Sequence, residues 1–137
     1  MLYEPQNFTL ENTSIWNFKE RGRWATHKGD YRGNCPPQVP RNLILRYTDE
    51  KDIVLDPFCG SGTTMIECKL LNRKGIGIDV NVDALKLAKS RLDFKYKNNY
   101  EPKLIKEIIS DYENFVEPTK TAQAPKNVET EIDKPIE

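Results

Sequence analysis

The residues of this chain best suited to chemistry lie in one stretch, DPFCGSGTT, from Asp56 to Thr64. It follows a short apolar run and carries Gly60 and Gly62 one residue apart. Glycines at the carboxyl end of a parallel strand let a ligand reach backbone N–H groups with no Cβ in the way. Three ligand classes use such a loop, and neighbouring residues separate them. A triphosphate-binding loop requires Gly-Lys-Ser/Thr, whereas Gly62 is followed by Thr63 and Thr64. A dinucleotide fingerprint wants glycine or alanine three residues after its second glycine. That position is Met65, which disfavours NAD without excluding it. The third class is S-adenosylmethionine, which brings no phosphate but a cationic sulfonium and an amino-acid head. Asp56 supplies negative charge at the strand end. Asp79 stands 19 residues after Gly60, where its carboxylate can accept both hydroxyls of a ribose. Either aspartate alone reads equally well as a strand terminator or turn cap. Together, flanking FCGSGTT at this spacing, they favour the ligand reading.

The elements that must position this loop follow from pattern. Asp52 to Leu55 is a short, mostly apolar run that suits a buried parallel strand. Thr63 to Leu71 reads as a helix, with Ile66, Leu70 and Leu71 at helical spacing, and Asn72 to Lys74 as a short connection. Gly75 to Asp79 (GIGID) is a second strand whose glycines allow close approach of neighbouring backbone. Asn81 caps a following helix, Asp83 suits its first turn, and Leu85, Ala88 and Leu92 share a face. Upstream, Gly29 to Pro40 is turn-rich, and Arg41 to Tyr47 forms a short helix after Pro40. Downstream, Leu104, Ile105, Ile108, Ile109 and Tyr112 share a face in a helix expected from Lys103 to Phe115. The expected fold is therefore α/β, part of a doubly wound, Rossmann-like sheet. Three regions are expected: a basic, aromatic N-terminal segment (1–34), an incomplete α/β ligand-binding domain (35–116) and a disordered polar tail (117–137).

The 137 residues suffice for one domain. Lys plus Arg equals Asp plus Glu at 21 each, so global charge names no partner. The distribution is more informative. Between Asn17 and Arg46 stand Lys19, Arg21, Arg23, Lys28, Arg32, Arg41 and Arg46 against Glu20 and Asp30, interleaved with Phe18, Trp24 and Tyr31. Cations among aromatics suit nucleic-acid backbone and bases; a solvated charged loop is the plain alternative. Cys35, Cys59 and Cys68 have no metal-type spacing, and with no leader or membrane-length apolar run the expected setting is a reducing cytoplasm.

VLDPFCGSGTT (Val54 to Thr64) followed by GIGIDVN (Gly75 to Asn81) resembles the cofactor-binding motifs of the amino-group DNA methyltransferases, which methylate N6 of adenine or N4 of cytosine. CPPQVPRNLI (Cys35 to Ile44) resembles the Pro-Gln-x-Pro segment and helix that precede the glycine loop in many of these enzymes. ERGRWATHKGDYRGN (Glu20 to Asn34) is similar to the N-terminal segment of a microbial subgroup. The resemblance covers somewhat over half the chain, from Trp16 to Phe94. It implies an S-adenosylmethionine-dependent methyltransferase fold and cofactor contacts from Asp56, Pro57, Phe58, Gly60, Ser61, Gly62 and Thr63. It also implies Asp79 on the ribose, Val80 beside the adenine, and a contribution from Gln38 to Asn42 at the methionine end. Cys59 stands where the family has a small residue and is expected to fill space.

The family's catalytic motif is (Asp/Asn/Ser)-Pro-Pro-(Tyr/Phe/Trp). Its polar group and a prolyl carbonyl accept the amino hydrogens, and its aromatic stacks on a flipped base. The sole Pro-Pro here, Pro36-Pro37, lies between Cys35 and Gln38 and offers neither. A cytosine-C5 mechanism would need Pro-Cys, and Cys35-Pro36 is the reverse. His27, the single histidine, reads as structural. The expectation is a cofactor-binding half acting on DNA with a complementing catalytic subunit and no membrane. The alternative is a non-catalytic nucleic-acid-binding or regulatory remnant.

Overall fold

A computed structural model describes residues 2–97 and 99–106. Six elements follow in order: α1 (Gln38–Tyr47), β1 (Ile53–Asp56), α2 (Thr63–Leu70), β2 (Lys74–Ile78), α3 (Val82–Leu92) and β3 (Lys103–Ile105). The strands form one parallel sheet in the order β1-β2-β3, with Leu55 opposite Ile76 and Gly77 opposite both Asp56 and Leu104. Parallel crossovers are right-handed, so two successive steps in one direction put α2 and α3 on the same face. The result is one wing of a doubly wound α/β sheet, in keeping with a methyltransferase fold.

Pro40 lies inside α1, which begins three residues before the expected Arg41. The first-turn N–H groups of a helix have no intrahelical partner, so proline costs nothing there. The first helical bond is made by Arg41 N–H to the Pro37 carbonyl, 3.1 Å. Asn81 caps α3 as expected, accepting from Asp83 N at 3.0 Å and Ala84 N at 3.3 Å.

β3 stands where the sequence pattern predicts a helix. The helix expected from Lys103 begins as a strand on the β2 edge, with Leu104 packed against the core. Pro102 turns Glu101 away from helical geometry, and β2 offers an unfilled row of N–H and C=O groups. A short apolar run does not distinguish the two by periodicity. The rest of that expected helix and the expected disordered tail lie outside the described residues.

α2 is the central element: Thr63 and every residue from Met65 to Leu70 are buried. Its Met65, Ile66, Cys68 and Leu70 pack with Trp24, Ile44, Cys59, Leu85 and Leu92. The strand glycines serve this packing, and the neighbours they admit are side chains rather than backbone. A Cβ on Gly77 would lie 2.9 Å from Met65 Cγ and 3.0 Å from Cys59 Sγ; one on Gly75 would lie 3.0 Å from Met65 Sδ.

Gly62 begins α2 in the left-handed region (φ 85°), and a Cβ there would come within 2.9 Å of Ala88 Cβ on α3. Gly62→Ala is therefore expected to cost about 2–4 kcal/mol from backbone strain plus overpacking, read by urea unfolding. A loss under about 1 kcal/mol would contradict that account.

The opposite face of β1 is open. Ile53 and Leu55 are 67% and 58% exposed, and β1 has no second strand partner among the described residues. No helix among the described residues is long and apolar enough to cross a membrane.

Candidate functional site

The glycine loop joins β1 to α2, and backbone bonds fix its path. Asp56 Oδ1 accepts from Phe58 N (3.1 Å), Cys59 N donates to the Ile78 carbonyl (2.9 Å), and Gly62 N donates to the Cys59 carbonyl (2.8 Å). Asp79 completes the frame from the end of β2. Its Oδ2 accepts from Gly60 N and its Oδ1 from Asn81 N, both at 2.8 Å. One carboxylate thus holds the loop that follows β1 to the turn that follows β2, while further lone pairs remain for a ligand.

Over this frame lies a cavity of about 310 Å³. Asp56, Phe58, Gly60, Ser61, Thr63 and Asp79 line it from the loop and strand end; Tyr31, Asn34 and Cys35 line it from the N-terminal segment. A wider hollow of about 800 Å³ between α3 and β3 has no buried polar side chain in its wall. The smaller cavity has the convergent polar groups that small-molecule sites require. It is also polarised: Asp56 and Asp79 present carboxylates, while the buried Arg91 stands behind Ser61, donating to its Oγ at 2.7 Å. α2 begins without a side-chain cap, which leaves first-turn N–H groups beside the cavity.

The structure therefore brings together six of the expected site residues: Asp56, Phe58, Gly60, Ser61, Thr63 and Asp79. Pro57 lies in the loop and faces outward, Gly62 packs beneath it against Ala88, and Val80, 86% exposed, follows Asp79. Gln38 and Asn42 are placed elsewhere. Gln38 accepts from Gly22 N (3.0 Å) and donates to the Glu20 carbonyl (2.8 Å). Asn42 is fully buried, accepting from Glu11 N and donating to the Gln38 carbonyl, each at 2.8 Å. Both secure the N-terminal segment to α1. The upstream wall of the cavity is instead Tyr31 to Cys35, in a turn with Gly33 at φ 83°.

Part of the basic-aromatic stretch is taken up in folding. Trp24 is in the core, and Arg41 is buried in ion pairs with Glu4 and Glu67. Arg21 donates to the Asn34 and Cys35 carbonyls, and Arg46 to the Glu11 carbonyl. Lys19, Arg23, Lys28 and Arg32 remain exposed. His27 is buried at 2.7 Å from Glu67, a structural place as expected.

Burial raises all three thiols and so disfavours their thiolates. Burial, then Asp56 and Asp79, pushes Cys59 up to about 12; burial, then Glu67, pushes Cys68 to about 12. Cys35 is also raised, chiefly by burial, but is the exposed one. Since the thiolate is the reacting form, a disulfide reagent at pH 8 is expected to label Cys35 alone in the native chain and all three thiols in urea. Rapid native labelling of Cys59 would contradict its packing role against Gly77.

Comparison with known proteins matches residues 4–90 to the family model of the N6/N4 DNA methylases. The type II methyltransferase M.HpaI of Haemophilus parainfluenzae is 39% identical over 84 residues, 61% of this chain and 27% of that protein. M2.MboI of Moraxella bovis is 34% identical over 110 residues, 78% of this chain and 40% of its own. M2.LlaDCHI of Lactococcus lactis subsp. cremoris is 44% identical over 75 residues, 55% and 27% respectively. The aligned part thus spans between 27% and 40% of these relatives' length.

Proposed function

Since the chain belongs to the amino-group DNA methylase family, we propose that it is the S-adenosylmethionine-binding portion of an enzyme that methylates N6 of adenine or N4 of cytosine in DNA. The observation that carries this reading is the polarised cavity framed by Asp79 between the glycine loop and the β2 end. The cofactor, when bound, supplies an electrophilic methyl group on a cationic sulfur. The residues here do the holding. Asp79 accepts from the ribose hydroxyls, Asp56 places negative charge at the strand end, and Gly60 lets the ligand approach the backbone. Phe58 and Val80, each 86% exposed, offer apolar surface for the adenine. Met65, packed into β2 where a dinucleotide fold has glycine, speaks against NAD.

The acceptor side lies elsewhere in this reading. A complementing polypeptide brings the Pro-Pro-aromatic motif; its strands pair with the β1 edge left open among the described residues, and its helices cover the face that Ile53 and Leu55 expose. The pair works on DNA in the cytoplasm. Tritium from labelled S-adenosylmethionine is expected to enter unmethylated DNA only when such a polypeptide is supplied. Methylation by these 137 residues alone would refute the division of labour. A second reading, a non-catalytic nucleic-acid-binding module, rests on exposed Lys19, Arg23, Lys28 and Arg32. It predicts salt-dependent DNA binding indifferent to the cofactor and to Asp79→Ala.

A further inference from the structure

We propose that Arg91 is a positioning residue: it fixes the Ser61 hydroxyl as a donor aimed at the carboxylate of the cofactor's amino-acid head. This deepens the reading above and rests on it.

A serine hydroxyl has one proton and two lone pairs. Ser61 Oγ, 1% exposed yet in the cavity wall, accepts from Arg91 Nη1 at 2.7 Å and from Asn34 Nδ2 at 3.4 Å. Both lone pairs are thereby engaged, so the proton is what the group has left to offer. No acceptor for it is present among the described residues. A buried hydroxyl proton without an acceptor is costly, and a ligand acceptor in the cavity would relieve that cost.

Charge then selects the acceptor. Arg91 is buried and brings a guanidinium to this wall. Its Nη2 pairs with the Asp30 carboxylate, whose side chain is 60% exposed and therefore solvent-screened. Thr26 Oγ1 donates to the Arg91 carbonyl at 2.6 Å, fixing its backbone as well. Ser61 accordingly sits beside a held cation, and a hydroxyl that accepts from a cation is a stronger donor. Among the polar parts of S-adenosylmethionine, the anion is the head carboxylate. The sulfonium and ribose suit Asp56 and Asp79, whose carboxylates line the same cavity. The geometry thus orients the ligand by its two poles. Arg91 does this through Ser61, without touching the ligand.

The test compares S-adenosylmethionine with its decarboxylated analogue, titrated into the full chain and its variants. Wild type is expected to favour the carboxylated compound, by ~10- to 100-fold for a hydrogen bond to a charged group. Ser61→Ala and Arg91→Met are each expected to remove most of that preference, weakening S-adenosylmethionine more than the analogue. The double variant should be no worse than either single one, since one interaction cannot be lost twice. Arg91→Lys, which keeps a cationic donor, should retain part of the preference. Equal weakening toward both compounds would show a merely structural role and overturn the inference, as would an unchanged preference. Should Arg91→Met fail to fold, Ser61→Ala and Arg91→Lys decide by the same ratio. A wild type that binds both compounds equally defeats this inference alone. A folded wild type that binds neither defeats the cofactor reading and this inference with it.

Discussion

Glu67→Leu is expected to unfold the domain or nearly so, costing about 3–5 kcal/mol, as breaking one partner out of a buried charged network does. Glu67 is fully buried on α2. Its Oε1 accepts from Trp24 Nε1 and faces His27 Nε2, both at 2.7 Å; its Oε2 accepts from Arg41 Nη1 at 2.8 Å. A carboxylate oxygen offers only lone pairs, so His27 Nε2 must carry the hydrogen between them. The network extends outward, because Arg41 also pairs with Glu4, which accepts from Tyr96 Oη at 2.9 Å. One side chain therefore binds the N-terminal segment and α1 to the helix that presents the glycine loop. Leucine would leave a buried guanidinium short of an anion and two buried N–H groups without acceptors. Thermal and urea unfolding measure the loss, with Tm falling by about 4 °C per kcal/mol for a domain near this size. Glu67→Gln keeps one acceptor oxygen and should lose less. Stability of Glu67→Leu within about 1 kcal/mol of wild type would show that the network can be replaced by packing.

Asp79→Ala is expected to lower S-adenosylmethionine affinity by ~100-fold or more, since each hydrogen bond to the carboxylate contributes about 1.5–3 kcal/mol and two ribose hydroxyls lose their acceptor. It also frees Gly60 N and Asn81 N, loosening the loop that forms the floor of the cavity. Asp79→Asn retains one acceptor oxygen and should fall between. Calorimetric titration reads both variants, with circular dichroism to confirm the fold. An Asp79→Ala chain binding within ~3-fold of wild type would remove the ribose assignment.

The loop and its carboxylate were legible because they are local. A strand end, two glycines and an acidic residue at a fixed distance need no tertiary knowledge, and Asn81 announces α3 by its cap. Whatever depended on a partner across the fold was not legible. Lys103–Ile105 pairs with β2 because an edge was open, which no window of residues reveals. Gln38 and Asn42 are occupied by Gly22, Glu20 and Glu11 from the N-terminal segment. Nor does sequence show that Trp24, His27 and Arg41 converge on Glu67. One weak signal did exist: Glu67 falls within the apolar helix pattern, where an isolated charge needs a partner. Arg91 gave another, lying three residues after Ala88 on the buried face of α3.

The central claim is that these residues hold the methyl donor. Isothermal titration of the 137-residue chain with S-adenosylmethionine tests it most directly, with NAD as the comparison. The expected result is saturable binding of one equivalent of S-adenosylmethionine, weakened by ~100-fold or more in Asp79→Ala, and no heat with NAD. A folded chain that gives no binding isotherm with S-adenosylmethionine, or that binds NAD instead, would contradict it.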